Sequence, residues 1–249
     1  MTSPGPIAFT IFGIDIRWYG ILIATGIVAA ILVSSYRFKK HNLNSEDVMD
    51  LAIICIPAGI IGARLYYVAF EWENYSGNLL NIFNTRLGGL AVHGGLILGI
   101  ASAVFVCKHK KIPFPDGLDA TVCGIVLAQS IGRWGNFFNS EAHGGPTDLP
   151  WGIQVKGTYV HPTFLYESLW CLILFFVLSH IDSNRKFIGQ TSLLYGILYS
   201  AERFFVEGLR TDSLIIGPFR QAQVLSAGVI IVCIILYVIL YKRSRQFSK

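Results

Sequence analysis

Residues 221–241 read Gln-Ala-Gln-Val-Leu-Ser-Ala-Gly-Val-Ile-Ile-Val-Cys-Ile-Ile-Leu-Tyr-Val-Ile-Leu-Tyr, an uncharged run followed at once by Lys242, Arg243 and Arg245. A bilayer core of about 30 Å is crossed by roughly 20 apolar residues in an α-helix. The run therefore reads as a membrane span that stops on a basic cluster. Working outward, six more runs approach or reach that length. The predicted spans are about 18–36, 48–70, 87–107, 117–139, 162–181, 189–207 and 221–241. The third and sixth are interrupted by glycine or charge. The chain is 53% hydrophobic and 14% charged, and its connections are too short for an extramembrane domain. The expected fold is an all-α integral membrane protein of about seven transmembrane helices, with residues 1–249 forming a single polytopic membrane domain.

A net charge of +5 would suit a nucleic-acid partner, but its distribution points elsewhere. Arg37, Lys39 and Lys40 follow the first span, and Lys108, Lys110 and Lys111 the third. Arg185 and Lys186 follow the fifth, and Lys242, Arg243, Arg245 and Lys249 the seventh. The opposite loops hold few basic residues and include Glu71, Glu73, Asp148 and Asp212. By the positive-inside rule the N-terminus lies outside and the C-terminus is cytoplasmic. The basic clusters then serve topology and contact with anionic lipid of the bilayer, and no nucleic acid is expected. The first residues, Met1 to Pro6, hold no basic n-region of a secretory signal peptide. Residues 1–16 are expected at the interface, where Pro4, Gly5 and Pro6 oppose helix. Cys55, Cys107, Cys123, Cys171 and Cys233 all fall inside apolar runs without a C-x-x-C pair, so they read as small apolar fillers.

Against this background, Gly132-Arg-Trp-Gly-Asn-Phe-Phe-Asn-Ser-Glu-Ala-His-Gly144 stands out. Ionisable groups in hydrocarbon are costly and usually face a partner or a water-filled cavity. The predicted topology turns such residues into a geometry. Arg17, Trp18 and Tyr19 mark the outer end of the first span. Arg64, His93 and Arg133 each lie about 9 Å below the outer boundary at ~1.5 Å per residue. Asn136, Tyr166, Glu167, Glu202 and Arg203 fall in the same shallow layer, to which six spans contribute. The cytoplasmic halves hold few such groups, chiefly Asp50, Asp119 and Gln129. A conduction path needs polar groups along its length or a site at the midplane. The pattern instead suggests a pocket entered from the outer leaflet, above an apolar floor.

Arg133 taken alone also reads as a side chain snorkelling to the interface. Asn136 follows at i+3, and Gly132 and Gly135 permit close helix approach. The layer holds Arg17, Arg64, Arg133 and Arg203 but no lysine. A guanidinium offers planar paired donors that suit phosphate or carboxylate. Arg203 and Glu207 stand at i and i+4 as a structural ion pair, Glu202 points to another face, and Glu167 is expected to neutralise an arginine. His93, within Ala-Val-His-Gly-Gly-Leu, is either a hydrogen-bonded core residue or a base, with two glycines leaving room beside it. Tyr19 beside Trp18 has the look of an interfacial anchor. His109, His161 and His180 are scattered and no metal motif is present, so the expected chemistry is free of metal and cofactor. Ser130 has no evident partner for a serine dyad.

These residues match a known pattern. The segment Gly132–Gly144 resembles the full signature of the bacterial prolipoprotein diacylglyceryl transferase family, G-R-x-G-N-F-x-N-x-E-x-x-G, without a departure. His93-Gly94-Gly95-Leu96, Arg17-Trp18-Tyr19-Gly20, His161-Pro162-Thr163-x-x-Tyr166-Glu167 and Arg203-Phe204-x-x-Glu207 resemble four more of its motifs. Glu207 to Ser213 is similar to the shorter Gram-positive type, and residues 140–161 form a shorter outer segment than larger members carry. The resemblance implies transfer of the diacylglyceryl group of phosphatidylglycerol to the lipobox cysteine of a prolipoprotein, releasing glycerol 1-phosphate. It implies the bacterial cell membrane, with the site towards the outer leaflet. It also implies roles. Arg133 and Arg203 bind phosphate and stabilise its gained charge, His93 takes the thiol proton, and Tyr19 bonds near the headgroup. Asn136, Asn139, Glu141 and Gly144 belong to the substrate-binding set, and Glu167 and Glu207 orient arginines. The rival reading is a membrane transporter or channel for an anionic solute or lipid.

Overall fold

The computed structural model describes residues 2–85, 88–211 and 213–247, without the side chains of Ile216 and Phe247. Leu87, Asp212 and Lys249, used above to bound a span and to count loop charges, lie outside the described residues.

The chain opens with a hairpin of β1 (Ile7–Ile11) and β2 (Ile14–Arg17), in which Ile11 pairs with Ile14 and Phe9 with Ile16. Pro4, Gly5 and Pro6 keep the preceding residues out of helix. The helices α1 (Trp18–Lys40), α2 (Asp47–Phe70), α3 (Val92–His109), α4 (Phe114–Gly132) and the short α5 (Trp134–Asn139) follow. A second hairpin, β3 (Ile153–Val155) and β4 (Thr158–Val160), leads into α6 (Thr163–Ser183) and α7 (Gln190–Leu209). A small third hairpin, β5 (Ile215–Ile216) and β6 (Phe219–Arg220), precedes α8 (Gln221–Phe247).

Helices α1, α2, α3, α6 and α8 are long and apolar enough to cross a membrane. Large apolar side chains stay exposed along them, among them Leu32, Ile53, Phe105, Phe176 and Ile231. Water would not tolerate so much exposed hydrocarbon, whereas lipid covers it. This is a multi-pass α-helical membrane protein. Helices α4 and α7 have 19 and 20 residues, about 30 Å at ~1.5 Å per residue, but carry more polar side chains.

Two of the boundaries that differ from the sequence expectation bear on the polar residues. The third helix starts at Val92, because Gly88 and Gly89 take φ of +90° and +78° and the backbone cannot continue as helix through them. His93 therefore sits in the first turn of α3 and not about two turns in. The predicted fourth span breaks at Arg133 into α4 and α5, and the Asn136 amide bonds the Arg133 carbonyl in a tighter turn (3.1 Å).

The chain forms two compact units: Met1–Arg37 with Leu118–Lys249, and Phe38–Gly117. In the first, Val122, Cys123 and Val126 of α4 pack on Cys171, Leu174 and Leu178 of α6, with Leu194 and Leu198 of α7 alongside. All five cysteines are free, and Cys107, Cys123 and Cys171 are buried. In the second unit, α2 and α3 meet backbone to backbone. A Cβ at Gly94 would overlap the Gly62 carbonyl, so these glycines serve helix packing and do not leave empty room beside His93.

Several basic residues read as topology signals are also structural. Arg37 pairs with buried Asp182 at 3.2 Å, and Arg185 with fully buried Asp119 at 3.4 Å. Asp119 further accepts from the amides of Gly189 (2.7 Å) and Ser192 (2.8 Å), capping the N-terminus of α7. In the other unit Lys110 contacts Asp47 at 3.1 Å and also Asp50.

Candidate active site

Glu167 lies one turn into α6, is 2% exposed, and joins two arginines that are far apart in sequence. Its Oε2 contacts Arg133 Nη1 at 2.8 Å and its Oε1 accepts from Arg203 Nη1 at 2.7 Å. Arg203 Nη2 also pairs with Glu207 Oε2 at 2.7 Å, a contact without good hydrogen-bond alignment. The four groups balance in charge, which makes their burial tolerable. The arginine side chains nevertheless remain 23% and 22% exposed, so each guanidinium keeps donors for an incoming anion. Glu202, also buried on α7, lies within electrostatic reach of Glu167, Arg133 and Arg203. Among the described residues neither of its buried oxygens accepts a hydrogen bond.

Arg133 Nη2 also donates to the Tyr199 hydroxyl at 3.3 Å. Tyr199 stacks on Tyr195 at 5.4 Å, and the Tyr195 hydroxyl exchanges hydrogen bonds with the Gln129 amide (2.8 and 3.0 Å). Gln129, an isolated polar group in the sequence, is thus satisfied within the bundle. Ser130 is similarly accounted for: Ser130 Oγ donates to the Ser168 carbonyl (2.8 Å) and Ser168 Oγ to that of Ser130 (2.9 Å). Trp134 Nε1 adds a bond to Ser168 Oγ (3.1 Å), tying α5 to α6.

The signature then turns sharply. Ser140 and Ala142 adopt φ of +53° and +54°, and the Glu141 carboxylate folds back to accept from the amides of Asn136 (3.2 Å) and Asn139 (3.1 Å). Asn139 Oδ1 is buried without a partner among the described residues. The ring of Tyr19 lies directly against Gly135, where a Cβ would collide with it, while its hydroxyl bonds nothing among the described residues. Gly144 is part of the backbone wall. Its amide donates to the His161 carbonyl (2.9 Å), and a Cβ would stand 2.7 Å from that of His161. The structure thus gathers Tyr19, Arg133, Asn136, Asn139, Glu141, Gly144, Glu167, Arg203 and Glu207 into one unit.

His93 and Arg64 belong to the other unit. The His93 ring is half-buried, 6.0 Å from the Tyr66 ring, and forms no hydrogen bond among the described residues. Arg64 is not a free anion ligand. Its Nε donates to Ile82 O (2.7 Å), and its terminal nitrogens to the carbonyls of Asn81 (2.7 Å), Asn84 (3.0 Å), Gly88 (3.0 Å) and Gly89 (2.8 Å). It organises the loop before α3. The expected layer of four arginines reduces to the Arg133–Arg203 pair and the exposed Arg17.

The profile of the prolipoprotein diacylglyceryl transferase family matches residues 6–239. The chain belongs to this family. It is 52% identical over 240 residues to a phosphatidylglycerol–prolipoprotein diacylglyceryl transferase of Clostridioides difficile (strain 630), covering 96% of this chain and 97% of that protein. It is 49% identical over 244 residues to a protein of the same name from Finegoldia magna, covering 98% and 97%. A Clostridium kluyveri protein so named is 45% identical over 251 residues, covering 97% and 98%. Membership favours the transferase reading over a transporter or channel.

Two further residues, Tyr199 and Arg220, contact Arg133 and Glu207 and were not among the residues singled out in the sequence. Tyr199 was legible in part, since it stands four residues before Arg203 on α7. Arg220 gave no signal, because its acceptors are backbone groups of a helix end that pattern alone does not locate. Its Nη1 donates to the Glu207 carbonyl, to Arg210 O (2.8 Å) and to Ser213 Oγ (3.3 Å).

Proposed function

We propose that this protein transfers the diacylglyceryl group of phosphatidylglycerol to prolipoproteins, forming a thioether at the lipobox cysteine and releasing glycerol 1-phosphate. The observation that carries the reading is the joining of Arg133 and Arg203 on one buried carboxylate, with both guanidinium groups still part open. A phosphodiester has one negative charge. When the thiolate sulfur attacks the glyceryl carbon and the carbon–oxygen bond breaks, the departing phosphate gains a second. Fixed guanidinium donors near that oxygen stabilise the developing charge more than the ground state, which is what accelerates the step.

The thiol proton has to leave, because the thiolate is the nucleophile and a free thiol, with a pKa of about 8.5, is mostly protonated at neutral pH. His93 is the proposed acceptor. An imidazole nitrogen can accept a proton, and among the described residues the His93 ring forms no hydrogen bond, only a contact with the Tyr66 ring at 6.0 Å. Asn136, Asn139 and Glu141 line the headgroup side, Tyr19 offers its unengaged hydroxyl, and Gly144 shapes the wall. Glu167 and Glu207 orient the arginines. The enzyme's own cysteines take no part.

In this reading α4 and α7 cross the bilayer with the five apolar helices. The N-terminus is outside, the C-terminus cytoplasmic, and the site opens to the outer leaflet of the bacterial cell membrane. The deciding experiment incubates purified protein with labelled phosphatidylglycerol and a lipobox peptide. Thioether-linked diacylglyceryl peptide with equimolar glycerol phosphate is expected. Absence of both products overturns the proposal.

A further inference from the structure

Helix α7 carries Arg203, yet it is not among the helices apolar enough to be seated by the bilayer alone. Both of its ends are instead held by side chains from other elements. At the N-terminus Asp119 of α4 accepts from Gly189 and Ser192. At the C-terminus the last carbonyls of a helix have no intrahelical partners, and a cation there is favoured by the helix dipole. Arg220, the last residue before α8, fills that place. One nitrogen, Nη1, serves the Glu207 carbonyl, the Arg210 carbonyl and the Ser213 hydroxyl. The Leu209 carbonyl accepts from the Gly145 amide (3.0 Å), just beyond the signature.

The Glu207 backbone is thus fixed by Arg220 while its carboxylate pairs with Arg203, itself on Glu167. Glu207 Oε2 is held by the ion pair with Arg203 without a well-aligned hydrogen bond, so the backbone that carries it also sets the pair's geometry. We propose that Arg220 is a positioning residue for the Arg203–Glu207 pair: it locks the last turn of α7 and keeps Arg203 aligned with Glu167 for the anionic donor. Its part differs in kind from that of Arg133. Three acceptors surround a single Arg220 nitrogen, so a point charge can replace the fork, which is not so for paired recognition of a phosphate.

The inference rests on the transferase reading, and the same assay separates the two. If the parent protein forms no thioether product, that reading fails whatever Arg220 does. With an active parent, Arg220→Ala is expected to raise KM for phosphatidylglycerol about tenfold, the size expected when a hydrogen bond to a charged group is lost. KM for the lipobox peptide should stay close to parental. Arg220→Lys is expected to recover most of the difference. Rates are taken well below the unfolding midpoint, which separates positioning from stability. If the Ala variant does not fold, Arg220→Gln takes its place in the comparison with Arg220→Lys. A folded Ala or Gln variant with parental KM for the lipid overturns the proposal, as does a Lys variant no better than Ala or Gln.

Discussion

Glu167 Oε2 sits 2.8 Å from Arg133 Nη1, and through its other oxygen the same carboxylate reaches Arg203, 36 residues further along the chain. One buried anion therefore sets the spacing of two cations. Without it the guanidinium groups would repel each other in a poorly screened setting. With it both guanidinium groups are held in place while part of each stays open, as the proposed binding of a phosphate requires.

Glu167→Gln tests that relationship. The amide keeps the shape but removes the charge that both arginines share. Transfer is expected to fall about a hundredfold, and stability in detergent by about 3 kcal/mol, the lower end for breaking a buried pair because both arginines keep solvent access. Initial rates and thermal unfolding measure the two. A near-parental rate would show that the arginines hold their geometry without the bridge.

Arg133→Lys preserves charge and loses the planar fork. Lysine cannot contact Glu167 and Tyr199 together and still present paired donors to a phosphate. A folded protein with transfer reduced at least about a hundredfold is expected, in the range of losing one charge-stabilising donor. Activity close to parental would remove the paired-donor role.

His93→Gln probes the proposed base through its pH–rate profile. The parent rate should rise with pH as the proposed base loses its proton. The glutamine variant should be slower, by about a hundredfold for a lost general base, and should lose that limb. An active variant with the parental profile would transfer the role to Glu141 or Tyr19.

Replacing Cys55, Cys107, Cys123, Cys171 and Cys233 together with alanine should leave transfer intact. Cys107, Cys123 and Cys171 are buried, so a lower unfolding temperature is expected, with a cost of about 1 kcal/mol at each from lost packing. A folded cysteine-free protein without activity would contradict the assignment of the nucleophile to the substrate thiol.

Much of the fold was legible because a bilayer imposes one dimension on the sequence. The predicted span 162–181 appears as Thr163–Ser183, and 189–207 as Gln190–Leu209. The third helix was misjudged at its start because Gly88 and Gly89 interrupt an apolar run without changing its hydropathy. The signature marked Arg133, Asn136, Asn139 and Glu141 as neighbours, and the turn at Ser140 made three of them a closed hydrogen-bonded group.

By itself the sequence determined that this is a helical membrane protein, roughly where its long helices lie and which family it belongs to. Length, hydropathy and local motif spacing are one-dimensional properties and survive without a fold. Only the tertiary structure decided which partners the arginines find. Arg64 and Arg133 are alike in the sequence, both in apolar runs at the same predicted depth. Yet one spends its donors on the carbonyls of a nearby loop, while the other meets Glu167 from a distant helix. A hydrogen bond is a short-range, directional contact, so which partner a guanidinium finds depends on how the helices pack and not on the run that contains it.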